Sequence, residues 1–457
     1  MQFPFKRHPP IPGPSGYPLV GSLPHFWRQP LQCLTAAAQQ YGEVVSLRLG
    51  GRPVYLLNHP DHIKHVLEDQ HTRYRKSVAR VARIKPLFGE GLTTSEGTLW
   101  RRQRRLLLPA FQPQRLVAWA SVITEATAAM LARWQHVAAR GQPLDLMATM
   151  IDLTQGIIGR ILFGDDVVAD VQAFGQAMTT ALEQVNHRTW AVFALPTSLP
   201  TPRNRRLRQA LRTLDTWVYR LIDERSFTWQ DRQDLLSQLL GTRDATTGER
   251  MSRDQLRHEV MTLFIAGHTT VAAALAWTWS LLAQHPDVEH ALQAELATVL
   301  GGRPPTAHDL PALRYTTMII EEGLRLYPPT WVTARTPWAD DEIGGYQLPA
   351  HAVLLLSAYV LHRHPALWEN PERFDPERFT PERSRDRPRF AYFPFGGGPR
   401  RCIGQRLAMM EMVLIVAMIA QHYQLRLVPG YPIEPEPLIT LRPRHGVLMT
   451  LHQHPRS

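Results

Sequence analysis

Cysteine is almost missing from this chain, lysine is scarce, and no unbroken apolar run is long enough to cross a bilayer. Two cysteines, Cys33 and Cys402, among 457 residues exclude a disulfide framework and any zinc or iron–sulfur site built on a cysteine cluster. Such thrift fits a reducing compartment. Lysine occurs only at positions 6, 64, 76 and 85, so arginine supplies nearly all of a positive charge that exceeds the negative by 11 (51 against 40). A basic balance favours anionic partners. The Lys/Arg-rich tail and the aromatic-plus-glycine signature of RNA binders are both missing, which argues against nucleic acid. The lead "MQFPFKRHPPIPGPSGYPLVG" is rich in proline and has no apolar core of a signal peptide or anchor. The most apolar stretches are "MVLIVAMIA" (412–420) and 261–277. The first is short, and the second is interrupted by His268, Thr269 and Thr270. Both read as buried helices, and the expectation is a cytoplasmic protein without a transmembrane anchor.

What is present is ordinary globular material, 44% hydrophobic and 20% charged. After a proline-rich lead and first helix over 1–40, "EVVSLRLGGRPVYLLN" (43–58) alternates around Gly50-Gly51 and predicts a β-hairpin at about 41–60. From about 100 to 330 apolar residues recur at three-and-four spacing, as in "VEHALQAELATVL", and predict a helical body. Loops rich in proline and glycine fall at 195–204 and 301–313. The remainder, 331–457, predicts β pieces, a glycine-rich loop, a last helix after Cys402 and a closing hairpin in "LITLRPRHGVLMTL" (438–451). With no internal repeat, the fold class expected is mainly α with small β-sheets, as one large domain over 1–457.

Cys402 lies in "FPFGGGPRRCIG" (393–404). Glycines there let the backbone approach a partner closely. The apolar run that follows places the cysteine at or just before a helix N-terminus, where amide groups and Arg400 and Arg401 favour a thiolate. A thiolate so placed is a nucleophile or a metal ligand. A nucleophile needs a base, and the motif holds no histidine; a single-sulfur metal ligand points to haem iron.

The pattern Phe395-x-x-Gly398-x-Arg400-x-Cys402-x-Gly404 resembles the haem-binding loop of the cytochrome P-450 superfamily. Two further motifs stand in the family's order, Glu322-x-x-Arg325 and "WENPERFDPERF" (368–379). The resemblance implies haem b held between two long helices, with Cys402 as axial ligand of the iron. It implies a buried triad of Glu322, Arg325 and Arg378 supporting the loop. "GTLWRRQRRLLLPAF" resembles the family helix whose tryptophan and basic residue bind a haem propionate, here Trp100 and Arg104; Arg335 and Arg400 match further propionate positions.

"LFIAGHTTVAAALAW" resembles the helix that crosses above the haem, but departs from it. Ala266 and Gly267 match, making room beside the helix for dioxygen, and Thr270 stands at the threonine position. Thr269 stands where an acid is usual. The nearest carboxylate upstream on the helix is Glu259, roughly 15 Å away at ~1.5 Å rise per residue. Three readings stay open: a water chain through Thr269 and Thr270, protons from another element, or reaction with peroxide. His268 reads as a packed side chain.

The activity implied is that of a bacterial haem-thiolate monooxygenase, inserting one oxygen atom of dioxygen into a C–H bond of an apolar substrate. Alternatives are a peroxide-driven peroxygenase, an isomerase or a haem-thiolate sensor without turnover. Electrons are expected from a separate ferredoxin or flavodoxin with its reductase, docking on Arg101, Arg105, Arg401 and Arg406. "FGEGLTTS" (88–95) and "LLLPAF" (106–111) resemble the branch of fatty-acid and carotenoid hydroxylases. A fatty acid, terpenoid or carotenoid-like substrate is expected, against pocket positions Thr93, Phe264, Ala266, Thr330, Val332 and Ile439.

Overall fold

Alternation around Gly50 produces the expected hairpin. In the computed structural model, which describes residues 9–50, 52–165, 168–190 and 196–454, β1 (Val44–Leu49) pairs antiparallel with β2 (Arg52–Leu57), from Val44 opposite Leu57 to Leu49 opposite Arg52. The first eight residues of the proline-rich lead, Gly51 and Leu195 lie outside the described residues. The chain divides into two interleaved compact units. One holds the residues up to Arg80, Arg325–Arg373 and Pro381–Cys402; the other holds Val81–Leu324, Phe374–Thr380 and the chain from Ile403.

The first unit is organised by a five-stranded sheet that also contains β3 (Tyr74–Lys76), β4 (Thr333–Pro337) and β5 (Val353–Leu356), in the order β1-β2-β5-β4-β3. β2 and β5 run parallel, which needs the long connection the chain provides; the other pairs are antiparallel. Val44, Leu57, Leu354 and Leu356 join Ile63, Val66 and Phe393 in one core cluster. α1 (Pro30–Tyr41) buries Leu31, Leu34, Ala37 and Ala38, the three-and-four spacing of one helical face, and stops at Gly42. α2 (Pro60–Lys64) follows β2 with His59 as its N-cap.

The second unit is helical. Its principal elements are α3 (Gly97–Leu107), α4 (Pro113–Ala139), α5 (Leu146–Phe163), α6 (Pro202–Arg225), α7 (Arg253–Leu282), α8 (Arg314–Leu326, whose last two residues belong to the first unit) and α9 (Gln405–His422). Side-chain caps fix several starts: Asp145 accepts from Met147 N–H, Thr201 from Asn204 N–H and Ser252 from Gln255 N–H. α7 is apolar all round and therefore central: from Glu259 to Leu282 only residues 266, 267, 269 and 270 are not buried. Arg257 ties it down, reaching Asp215 on α6 at 2.8 Å and the Leu87 carbonyl at 3.1 Å.

Two expectations are corrected here. The closing segment is not a hairpin: Leu441–Pro443 pairs with Pro435–Pro437, whereas Leu448–Gln453 pairs with Tyr423–Leu427 and Leu144–Asp145. Pro443 has no N–H to continue a ladder, and Met449 and Leu451 are buried in the second sheet. By length and composition, moreover, α4, α5 and α7 could each cross a membrane. His268, Thr269 and Thr270 do not interrupt α7, because each side chain donates to the carbonyl four residues back.

Candidate active site

The cysteine loop is closed by its own backbone. Cys402 N–H donates to the Phe395 carbonyl at 2.9 Å and Arg401 N–H to the Gly398 carbonyl at 3.1 Å, leaving Cys402 exposed and Phe395 half-buried. Gly398 has φ +61°, and a Cβ there would lie 1.8 Å from the Leu67 carbonyl oxygen, so no side chain fits. Arg400 ends the one-turn helix Gly398–Arg400, and Gly404, in the other unit, caps α9.

Within the first unit this loop is braced by His362, which sequence reasoning had not singled out, and by Arg325, which it had. His362 is fully buried; its Nε2 accepts the Phe393 N–H at 3.0 Å and its Nδ1–H donates to the Arg325 carbonyl at 3.3 Å. Arg325, also fully buried, donates to the carbonyls of His362 (2.8 Å), Pro371 (2.7 Å) and Arg373 (3.1 Å). It lies 5.1 Å from the ring of buried Trp368. The guanidinium thus gathers three backbone carbonyls, a use of arginine's several donors that motif order alone does not reveal. The only sequence hint was "LHRHPALW" (361–368), a polar cluster among apolar residues. Arg335 on β4 is half-buried and donates to Thr333 Oγ1 and the Ala334 carbonyl, both at 3.0 Å. Thr330 is exposed; Val332 is buried, and its carbonyl accepts from Arg80 at 3.2 Å.

In the second unit Glu322 is fully buried and accepts from Asp375 N–H at 2.9 Å and Arg378 Nε at 3.3 Å. Trp100 is buried and Arg104 half-buried, one turn apart on α3. Thr93 is exposed on a turn held from both sides: Gln103 donates to the Glu90 carbonyl at 2.6 Å, and buried Glu259 accepts the Leu92 N–H at 3.0 Å. Glu259 therefore anchors that turn. Ile439 is half-buried and its N–H donates to Asn186 at 3.2 Å.

α7 carries the accessible stretch Ala266, Gly267, Thr269 and Thr270 on an otherwise buried helix. Thr269 and Thr270 donate to the carbonyls of Ile265 (2.9 Å) and Ala266 (2.8 Å), so both hydroxyl oxygens remain acceptors. Gly267 also has a packing role. A Cβ there would lie 2.7 Å from Ile158 Cγ1, so its missing side chain admits α5, while Thr154 of α5 donates to the His268 carbonyl at 3.2 Å. Phe264 is fully buried and packs against Phe163, Phe174 and His268. His268 is buried with Nδ1–H on the Phe264 carbonyl at 2.6 Å. Burial pushes its ring down to about 4, so it is neutral at physiological pH.

An exposed thiol on a turn too tight for any Cβ, and a short accessible patch of small and hydroxylated residues on a buried helix, both suit a flat iron macrocycle with one sulfur ligand. The comparisons agree. The cytochrome P450 family model matches residues 11–449. Cyclooctatin synthase of Streptomyces melanosporofaciens is 40% identical over 95% of this chain and 94% of its own. Cyclooctat-9-en-7-ol 5-monooxygenase of the same organism is 38% identical over 91% and 90%. Pentalenene oxygenase of Streptomyces avermitilis is 33% identical over 94% of each. A crystal structure of the cytochrome P450DA heme domain matches with a TM-score of 0.89 at 28% identity, over 98% of both chains. The chain belongs to the cytochrome P450 family, and with it to the haem-carrying monooxygenases.

Proposed function

We propose that this monooxygenase oxidises a cyclic terpenoid, inserting one atom of dioxygen into a C–H bond. The observation that carries the reading is the similarity, over nine tenths or more of the chain, to a cyclooctat-9-en-7-ol monooxygenase and a pentalenene oxygenase. Terpenoids were one of three expected classes; fatty acids and carotenoids are the competitors.

Haem, when bound, supplies the dioxygen chemistry. Cys402 would hold its iron through Sγ, and Trp100, Arg104, Arg335 and Arg400 would hold its propionates, since buried carboxylates need cationic or N–H partners. Glu322 with Arg378, and Arg325 through its carbonyls, keep the segments flanking the loop in place. Thr270 would hold a proton at Oγ1, whose hydroxyl now rests on the Ala266 carbonyl. Thr93, Phe264, Ala266, Thr330, Val332 and Ile439 would line the substrate pocket. Electrons would come from a separate acidic ferredoxin or flavodoxin. Arg101, Arg401 and Arg406 are exposed and suit it, whereas Arg105 is drawn to buried Asp244 at 3.0 Å.

The test is a spectral titration of the purified haem protein with cyclic diterpene alcohols, sesquiterpene hydrocarbons, long-chain fatty acids and carotenoids. Turnover with a ferredoxin and its reductase follows. A terpenoid should shift the Soret band and gain one oxygen. A shift and product with fatty acid or carotenoid alone would overturn the reading. Thr269 in the acid's place favours one second reading, a peroxide-driven reaction. Product from hydrogen peroxide at a rate matching the reduced-donor system would support it.

A further inference from the structure

The end of the β1–β2 hairpin carries a cluster that haem chemistry does not use. Glu43 immediately precedes β1 and its carbonyl accepts the Asn58 N–H at 2.7 Å, which sets it beside His59. His59 caps α2 and His62 lies one turn further on. Among the described residues, Glu43, His59 and His62 form the one group of three such ligands, with one donor atom from each within 4.8 Å of the others. All three lie in the first unit.

Their spacing is that of a loose ion pair and not of a hydrogen-bonded one. His59 Nε2 is 3.9 Å from Glu43 Oε1, and His62 Nε2 is 3.9 Å from Glu43 Oε2. Both gaps are too long for a hydrogen bond, yet both rings point the same nitrogen at one carboxylate. Ligands about 2.1 Å from a tetrahedral zinc ion stand roughly 3.4 Å apart. The three donor atoms, which lie within 4.8 Å of one another, would have to close by about 1.4 Å or less to reach that spacing. His62 is held ready. Its side chain is only 12% exposed, and Gly344 leaves room for its ring, since a Cβ there would lie 2.8 Å from Cε1. Its Nδ1 is buried without a hydrogen-bond partner, so Nε2 is the only ring nitrogen that offers a polar contact.

We propose that Glu43, His59 and His62 form a binding site for a divalent ion of the zinc class, held by one carboxylate oxygen and two Nε2 atoms with water completing the tetrahedron. Two imidazoles and a carboxylate suit zinc, nickel or copper and disfavour magnesium and calcium. Binding moves one proton on His59. Its Nδ1 now accepts the Asp61 N–H at 3.3 Å, which puts the ring proton on Nε2. With metal at Nε2 that proton resides on Nδ1, where the Asp61 carboxylate lies 3.9 Å away and can turn to receive it, as outer-sphere carboxylates do for metal-bound histidines. The ion then ties the start of β1 to the turn between β2 and α2.

The test uses the full-length haem protein with any purification tag removed, stripped with chelator and titrated with zinc chloride against a chromophoric chelator. One equivalent of zinc per chain should bind, and the thermal midpoint should rise with zinc. Glu43→Gln, an exposed isosteric change, and His62→Ala should each weaken binding at least tenfold. His290→Ala should leave it unchanged, and His59→Cys should retain it through a thiolate. An unaltered carbonyl difference spectrum establishes that each variant is folded. The proposal is overturned if zinc does not bind, or if Glu43→Gln and His62→Ala bind it as tightly as the parent.

Discussion

Thr269 stands where the resemblance to the family implies an acid, and its surroundings define what an acid there could change. The hydroxyl is half-buried and bonded to the Ile265 carbonyl, and buried Glu259 is engaged by the Leu92 N–H. A threonine hydroxyl is far too weak an acid to release a proton near neutral pH, and the Glu259 carboxyl is held on the Leu92 turn. Thr269→Glu should therefore raise the product formed per reduced donor consumed; coupling that stays the same would show that proton supply is not limiting. One residue earlier, His268 makes a prediction about stability. Its folded-state value near 4 lies below the ordinary 6.5, so the unfolded chain binds the extra proton first. The stabilisation is present above pH 6.5 and declines as pH falls towards 4. Between pH 7 and 5 it should amount to about 2 kcal/mol. Denaturant unfolding should show that much less acid sensitivity in His268→Leu than in the parent, and equal sensitivity would contradict a buried neutral ring.

Elements were legible in proportion to how local their causes are. Alternation around Gly50 fixed the hairpin β1–β2, three-and-four spacing revealed the helices, and the cysteine loop announced itself through Gly398, Arg400 and Cys402. Pairing of the last strands was not legible, because the partner of Leu448–Gln453 is chosen by burial of Met449 and Leu451 against distant segments. His362 and the carbonyl partners of Arg325 were hidden for the same reason: these hydrogen bonds run to backbone carbonyls and amides, which carry no sequence signature. Gly267 shows how a correct motif can carry a second cause, since the same missing side chain that suits an oxygen-binding helix also admits Ile158 of α5. Gly267→Ala should cost about 1–3 kcal/mol through overpacking, read as a lowered denaturant midpoint. Adding Ile158→Ala should recover part of that loss. A single variant as stable as the parent would show that α5 yields without cost.

Across the whole molecule the dominant electrostatic fact is an excess of 11 positive charges carried almost wholly by arginine, which keep their charge at any working pH. Many are neutralised locally: Arg257 by Asp215, Arg225 by Asp234, and Arg105 and Arg102 by Asp244 together with Glu249. Arg101 and Arg406, both exposed, remain part of the net surface field that an approaching protein meets. That field acts on encounter more than on the bound state, and it decays over about 10 Å at 0.1 M salt. Reduction by an acidic ferredoxin should therefore slow several-fold as salt rises from about 0.05 to 0.5 M, where the Debye length falls to a few ångströms. Reduction by dithionite, a small donor without a docking surface, should depend far less on a charge at one surface position. Arg101→Glu should thus lower the ferredoxin rate at low salt and leave the dithionite rate unchanged. Stopped-flow reduction in the presence of carbon monoxide measures both. A ferredoxin rate indifferent to salt would mean that recognition is apolar and that the arginine excess serves something other than electron delivery.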